Sequence, residues 1–259
     1  MRHPSLPARL LALFLALFLS LQHAYAQSIL RDAETEALFA DMSVDIIRAA
    51  GLEPRHVQIV LINDKEINAF VAGGQIVYIH SGLITSAKNV GEVQGVIAHE
   101  LGHVKNRDTL IMTMVATVAG AISMLANFGM FFRSGDNRGN GLATLLAVIV
   151  APLAAMIVQM AISRTREFGA DRAGAEISGK PMALASALAK ISKGAASIPN
   201  PVSERTPAAA QLYIVPTRMS DMFSTHPATE KRIEALQDLA QDMGAASIAP
   251  SASARRRSA

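Results

Sequence analysis

The sequence contains no cysteine and no tryptophan, and only 17% of its 259 residues are charged. Without cysteine the chain forms neither a disulfide nor a thiolate zinc site, although this absence does not distinguish a reducing from an oxidising compartment. The basic residues form no cluster typical of nucleic-acid binding. The single run, Arg255-Arg256-Arg257, lies near the C-terminus and suits attraction to a membrane surface as well as any other partner. We therefore expect no nucleic-acid partner.

Apolar residues are abundant instead: they make up 51% of the chain, and the mean hydropathy is +0.29. Residues 109–132 and 139–163 carry no charge. As helices each run would span roughly 36 Å, enough to cross a hydrocarbon core of about 30 Å. The polar segment 133–138 separates them. This pattern predicts a membrane hairpin inserted at residues 109–163, with lipid as a partner. The alternative is a pair of buried helices in a soluble domain.

The N-terminal segment has the pattern of a secretory signal. Arg2 and Arg9 precede the apolar run 10–19, and Ala24-Tyr25-Ala26 has small residues at the positions typical of a cleavage site. We expect residues 1–26 to be a signal peptide, with an uncleaved signal anchor as the alternative. The catalytic domain would then cover residues 27–243, and the low-complexity residues 244–259 would form a disordered tail.

Two predicted strands precede the most informative motif. An amphipathic helix is expected over residues 33–50, followed by a buried strand at 57–62, a glycine turn, and a strand at 75–80. We expect this second strand to be an edge strand that pairs with an extended peptide. On this interpretation the substrate-binding residues are Asn68, Gln75, Val77 and Ile79. His80, at the end of the strand, is interpreted as a surface residue rather than a cleft residue.

The motif is His-Glu-Leu-Gly-His at residues 99–103. Residues four apart on a helix share one face, roughly 6 Å apart, so His99 and His103 can bind one metal ion. Glu100 can then reach a water in the open position of the metal. Asn89 is a suitable N-cap, and an apolar stripe follows it. The alternative is an ordinary core helix that carries two histidines.

Further candidate ligands lie downstream. Glu167 and Asp171 are also four apart on a predicted helix, so one carboxylate can bind the metal while the other holds a ligand histidine. Taken alone, such a pair more often faces solvent. His226 precedes Pro227 at a predicted helix start, where it could be a fourth ligand, a donor to the oxyanion of the reaction, or only a helix cap.

With these residues assembled, the chain resembles the HtpX-type zinc metalloproteases of the gluzincin class. The matching segments are Asn68-Ala69-Phe70 and residues 99–108, 163–171 and 223–230. The resemblance implies an α+β, mainly α, zincin-like domain with a small β-sheet and one zinc ion. It also implies a role for each candidate: His99, His103 and Glu167 as zinc ligands, Glu100 as catalytic base, Asp171 as a supporting carboxylate and His226 near the cleft.

The resemblance further implies an endopeptidase that acts on polypeptides, in quality control of membrane or envelope proteins. A non-proteolytic, membrane-bound assembly factor or holdase on the same fold is the main alternative, and a hydrolase of non-peptide substrates is another. We expect a location in a bacterial inner membrane. The signal-like N-terminus favours a periplasmic active site, whereas the basic residues that flank the hairpin on the active-site side favour a cytoplasmic one.

Overall fold

A computed structural model describes residues 29–30, 32–132, 141–197 and 228–248. The predicted signal segment, His226 and residues 249–259 lie outside these ranges. The described chain is mainly helical with one small sheet, which confirms the α+β, mainly α fold class. The helices are α1 (Ala33–Ala49), α2 (Ser81–Ser86), α3 (Val90–Asn106), α4 (Asp108–Phe132), α5 (Gly141–Ser178), α6 (Pro181–Ser197) and α7 (Thr229–Ile248). The strands are β1 (Gln58–Ile62), β2 (Ala69–Ala72) and β3 (Ile76–His80).

The strand order is β1-β3-β2, with β1 parallel and β2 antiparallel to β3. The prediction that the 75–80 strand is an edge strand is therefore wrong, because β3 pairs on both sides. Val77 and Ile79 are fully buried in the core rather than available to a substrate. Among the described residues the outer side of β1 carries only an isolated bridge between Ile29 and Ile62, while β2 forms the opposite edge.

Strand β2 was not predicted, because a four-residue strand gives little alternation to detect. Gly73 and Gly74 connect it to β3, with φ values of 63° and 95°. Both lie in the left-handed region that favours glycine, so the sequence predicted this turn for the right reason. Strand β2 packs against α3, which places this edge of the sheet beside the His-Glu-Leu-Gly-His helix.

Helix α3 begins as its sequence predicts. The Asn89 side chain accepts a hydrogen bond from the Glu92 backbone N–H at 3.1 Å, which confirms the predicted N-cap. The Glu92 carboxylate accepts from the Lys88 N–H and pairs with Lys190 and Ser186 of α6. Burial raises the pKa of Glu92, but the hydrogen bonds from Lys190, Lys88 and Ser186 and the charge of Lys190 together outweigh it, and the net pKa is lowered. A partly buried ion pair therefore ties the start of α3 to α6.

Helix α5 crosses α3 at very close range. A Cβ added to Gly174 would lie 2.8 Å from the backbone N and Cα of His99, and one added to Gly102 would lie 3.1 Å from the Ala170 carbonyl oxygen. Only glycine allows two backbones to approach this closely. This contact brings the second half of α5 beside both histidines. Helix α7 packs against α5 and α6 and completes the apolar core.

The two apolar runs form helices that pack against each other. In the described part of the chain one stretch, Asp108–Leu125 of α4, is long and apolar enough to cross a membrane, and most of it is not buried. Leu110, Met114 and Leu125 are 54%, 59% and 72% exposed. Buried helices of a soluble domain do not expose such residues, so the described part of α4 does not fit the alternative of two buried helices.

At the C-terminal end of the described chain, α7 continues to Ile248, so residues 244–248 are helical rather than part of a disordered tail.

We predict that Gly174→Ala destabilises the protein by about 2 kcal/mol, because its new methyl group would overlap the His99 backbone and separate the two helices. Gly169→Ala on the same helix is the matched control. Its nearest neighbour would be Asn106 Nδ2 at 3.8 Å, so it should be neutral or stabilise by up to ~1 kcal/mol. Urea unfolding curves measure both values. Equal stability of the two variants would contradict the close helix contact.

Candidate metal centre

The structure brings together the three predicted ligands, two from α3 and one from α5. His99 Nε2 lies 3.8 Å from Glu167 Oε2, and His103 Nε2 lies 3.8 Å from Glu167 Oε1. One donor atom from each residue lies within 4.8 Å of the other two. Three donors at this separation surround a point from which each can reach a metal ion at about 2 Å with little movement.

The remaining nitrogen of each ring faces a carboxylate. His99 Nδ1 lies 3.0 Å from Asp171 Oδ1, and His103 Nδ1 lies 2.7 Å from Asp108 Oδ2. A carboxylate at Nδ1 holds the proton there and leaves the Nε2 lone pair for a metal. His99 is fully buried, and its Nε2 has no hydrogen-bond partner among the described residues. A buried ring nitrogen of this kind is costly unless it binds something, so the residues present fit a metal ion.

Sequence reasoning missed Asp108, although it lies only five residues after His103. It is 5% exposed and also pairs with Arg166 of α5. Burial lowers the pKa of His103, but the hydrogen bond to Asp108 and the charge of Glu167 outweigh it and raise the pKa to about 9. Without a metal His103 is therefore protonated at neutral pH, and metal binding must displace a proton.

Arg232 of α7 is the second residue that sequence reasoning missed. Its Nε and Nη2 donate to the two Asp171 carboxylate oxygens at 2.6 and 2.7 Å, and Nη1 lies 3.0 Å from Glu167 Oε2. It is only 1% exposed. Burial raises the pKa of Asp171, but the charge and hydrogen bonds of Arg232 together with those of His99 outweigh this, and the net pKa is lowered. The available signal was an arginine on an apolar stripe, four residues before the fully buried Leu236.

Glu100, the predicted base, is 3% exposed and lies among these charges. Burial raises its pKa above the ordinary value, and Glu167 adds to the effect, whereas His99, His103 and Arg232 oppose it. A carboxylate that holds a proton more readily than usual is suited to accept one from a water molecule and return it later.

A groove of about 620 Å³ opens next to His103. Gln75 and Val71 line it, so Gln75 keeps a position beside the candidate site although it does not lie on an edge strand. The side chain of Asn68 is buried, at 1% exposed, so its predicted direct contact with substrate is wrong for the described conformation. The backbone carbonyl oxygen of Asn68 accepts a hydrogen bond from the backbone N–H of His80 at 3.0 Å.

His80 is not the surface residue that the sequence suggested. It is fully buried, and its ring meets Phe70 edge-on, with centroids 5.9 Å apart. Burial lowers the pKa of His80 despite the nearby charge of Asp64, so the imidazole is neutral at physiological pH. His226 lies outside the described residues, and its role stays a prediction.

Fold and site together define a class: a metallopeptidase in which a His-Glu-x-x-His helix and a glutamate from a second helix enclose a candidate metal site. Comparison with known families gives a more specific result. The model for peptidase family M48 matches residues 30–240, a range that includes all three strands and all three candidate ligands. The chain belongs to peptidase family M48.

We predict that Arg232→Leu lowers the free energy of unfolding by about 3–5 kcal/mol, since it leaves the buried carboxylates of Glu167 and Asp171 without their cation. Arg172→Leu on α5 is the control, because the Arg172 side chain is 72% exposed and, within the described part of the chain, pairs with the exposed Glu176. It should change stability by less than ~1 kcal/mol. Chemical denaturation of both metal-free variants measures the difference, and similar losses would contradict the role assigned to Arg232.

Proposed function

We propose that this protein is a zinc-dependent endopeptidase. The observation that carries the proposal is the approach of His99, His103 and Glu167 to one point, with Glu100 buried beside them. Two histidines and one glutamate form a known hydrolytic zinc set that leaves a position open for water and substrate. The M48 match supports peptide hydrolysis over other hydrolytic reactions. Nothing in the described residues favours a non-catalytic holdase, because the base and all three candidate ligands are present.

The chemistry divides between the metal and the protein. Bound zinc supplies Lewis acidity, which lowers the pKa of water and polarises the scissile carbonyl group. Glu100 accepts a proton from the attacking water and donates it to the leaving amine, a transfer that its raised pKa favours. Asp171 and Asp108 hold His99 and His103 with Nε2 directed at the site. Arg232 neutralises part of the negative charge that Glu167 and Asp171 bring into the interior.

The groove beside His103 suits an extended polypeptide. Val71 of β2 and Gln75 in the turn after it line the groove, and β2 has no second strand partner among the described residues. An outer strand next to a cleft can pair with a substrate chain through backbone hydrogen bonds, which bind many sequences alike. We propose that β2, rather than β3, is the strand that receives the substrate. Such backbone recognition suits an enzyme of envelope-protein quality control.

Two substitutions separate catalysis from metal binding. Glu100→Gln should retain as much zinc per chain as the natural protein but lose at least about 10²-fold in kcat on a casein substrate, because the amide cannot accept the proton. Glu167→Ala should bind about one zinc ion per chain fewer than the natural protein and should lose activity, because it removes a ligand of the catalytic centre. Glu230→Gln, at an exposed position of α7, is the control and should retain both. Metal analysis and a chelator-sensitive cleavage assay provide the measurements. Cleavage by Glu100→Gln at the unmodified rate would refute the mechanism.

We further propose that α4 and the apolar part of α5 form a membrane hairpin, with the active site on the periplasmic side of a bacterial inner membrane. The exposed apolar face of α4 supports insertion into lipid, since water does not favour such a surface. The signal-like N-terminus favours the periplasmic side, and the basic residues near the hairpin favour the cytoplasmic side. We choose the periplasmic side because the N-terminal segment is the first to be read during export.

Single cysteines can test this topology directly, because the natural chain has none. In spheroplasts treated with a membrane-impermeant maleimide, Asp45→Cys on α1 should be labelled, since its side chain is 96% exposed. Ser134→Cys, between the two apolar runs, should be labelled only after permeabilisation. Val118→Cys should react only after detergent denaturation. Labelling of Val118→Cys as fast as Asp45→Cys would contradict insertion, and the reverse pattern at positions 45 and 134 would indicate a cytoplasmic active site.

A further inference from the structure

A second group of metal-ligating side chains lies at the opposite ends of β1 and β3 from the glycine turn. Asp64 and Glu66 belong to the loop that follows β1, and His80 is the last residue of β3. One donor atom from each lies within 4.8 Å of the other two, the same separation as in the candidate catalytic centre. His80 Nδ1 lies 3.8 Å from Glu66 Oε2. The group shares no residue with His99, His103 and Glu167.

The state of His80 points to a ligand. Its side chain is fully buried, and neither ring nitrogen has a hydrogen-bond partner among the described residues. In a neutral imidazole one nitrogen carries a proton and the other a lone pair, and both normally find partners when buried. The Glu66 carboxylate lies 3.8 Å away, beyond a hydrogen bond but at the separation expected of two ligands that share a cation. The edge contact with Phe70 satisfies neither nitrogen.

The loop that carries the two carboxylates is held in place by its backbone. Asp64 accepts from the Gly82 N–H at 2.8 Å and from the Ser81 hydroxyl at 2.8 Å through its carbonyl oxygen. Its Oδ1 accepts from the Glu66 N–H at 2.9 Å. A Cβ on Gly82 would lie 2.1 Å from the Lys65 carbonyl oxygen, so only glycine lets α2 approach the loop this closely. The loop backbone and the Asp64 carboxylate are therefore positioned before any ion arrives.

We propose that Asp64, Glu66 and His80 form a second divalent-metal site, distinct from the catalytic one. A set of one imidazole and two carboxylates suits zinc or manganese better than calcium, which prefers oxygen ligands alone. Both carboxylates are partly exposed, so an ion can enter from solvent. The bound ion would cross-link the loop after β1 to the end of β3. Because this loop leads directly into β2, the ion would fix the strand that we propose receives the substrate.

The test counts zinc in full-length protein whose catalytic centre has been disabled. After chelation and dialysis against zinc, His99→Ala/His103→Ala protein should bind about one zinc ion per chain. Adding Asp64→Asn/Glu66→Gln should remove it. These amides keep the size of each side chain, and the amide oxygen introduced at position 64 still accepts the Glu66 N–H. Asp41→Asn/Asp45→Asn is the matched control, because it removes the same charge from exposed positions of α1 and should leave zinc bound.

The outcomes separate this site from the catalytic one, because zinc content is measured without activity. No zinc in the histidine variant, or zinc that survives Asp64→Asn/Glu66→Gln, overturns the proposal. If circular dichroism shows that the histidine variant does not fold, the same pair of amide substitutions is made in the natural protein. Zinc should then fall from two ions per chain to one. A single ion in the natural protein, unchanged by these substitutions, likewise overturns the second site.

Discussion

One buried guanidinium holds the candidate metal centre together. Glu100, Glu167 and Asp171 all lie in the interior, where like charges repel and none is well solvated. Arg232 contacts two of them and is itself almost completely buried. A planar guanidinium suits this position better than an ammonium group, because its fork reaches two carboxylates at fixed angles. The docking of α7, late in the chain, is therefore a condition for placing Glu167 beside the histidines.

Around the candidate metal centre, each polar side chain orients the next one. Arg232 fixes Asp171, Asp171 faces His99 Nδ1, and the opposite nitrogen of that ring turns to Glu167. Asp108 repeats this arrangement at His103 with Arg166 as its own partner. Each ring is thus held at Nδ1 by its own carboxylate, and both rings direct Nε2 to the same point. The consequence is a raised pKa at His103, so metal binding competes with a proton.

Helix α5 joins two environments in one unbroken element. Its 38 residues extend for about 57 Å. Val150 and Leu153 near its start are 52% and 45% exposed, whereas Ala170 and Ala175 near its end are completely buried. The close contact at Gly174 aligns the buried end with α3. Because one helix carries both segments, the apolar stretch and Glu167 are joined without an intervening loop.

Local sequence patterns were sufficient to predict several features of this protein. The His99–His103 pair, the Asn89 cap and the glycine turn follow from spacing or from one residue's conformational range, so the sequence alone determined them. Contacts between elements that are far apart in the sequence could not be predicted in this way. Alternation of apolar residues marks β3 as a strand but does not reveal its partners, so its central position was missed. Asp108, Arg232 and the burial of His80 depend on how separate elements pack. Only the tertiary structure could decide them, because contacts between residues far apart in the chain leave no periodic signal within it.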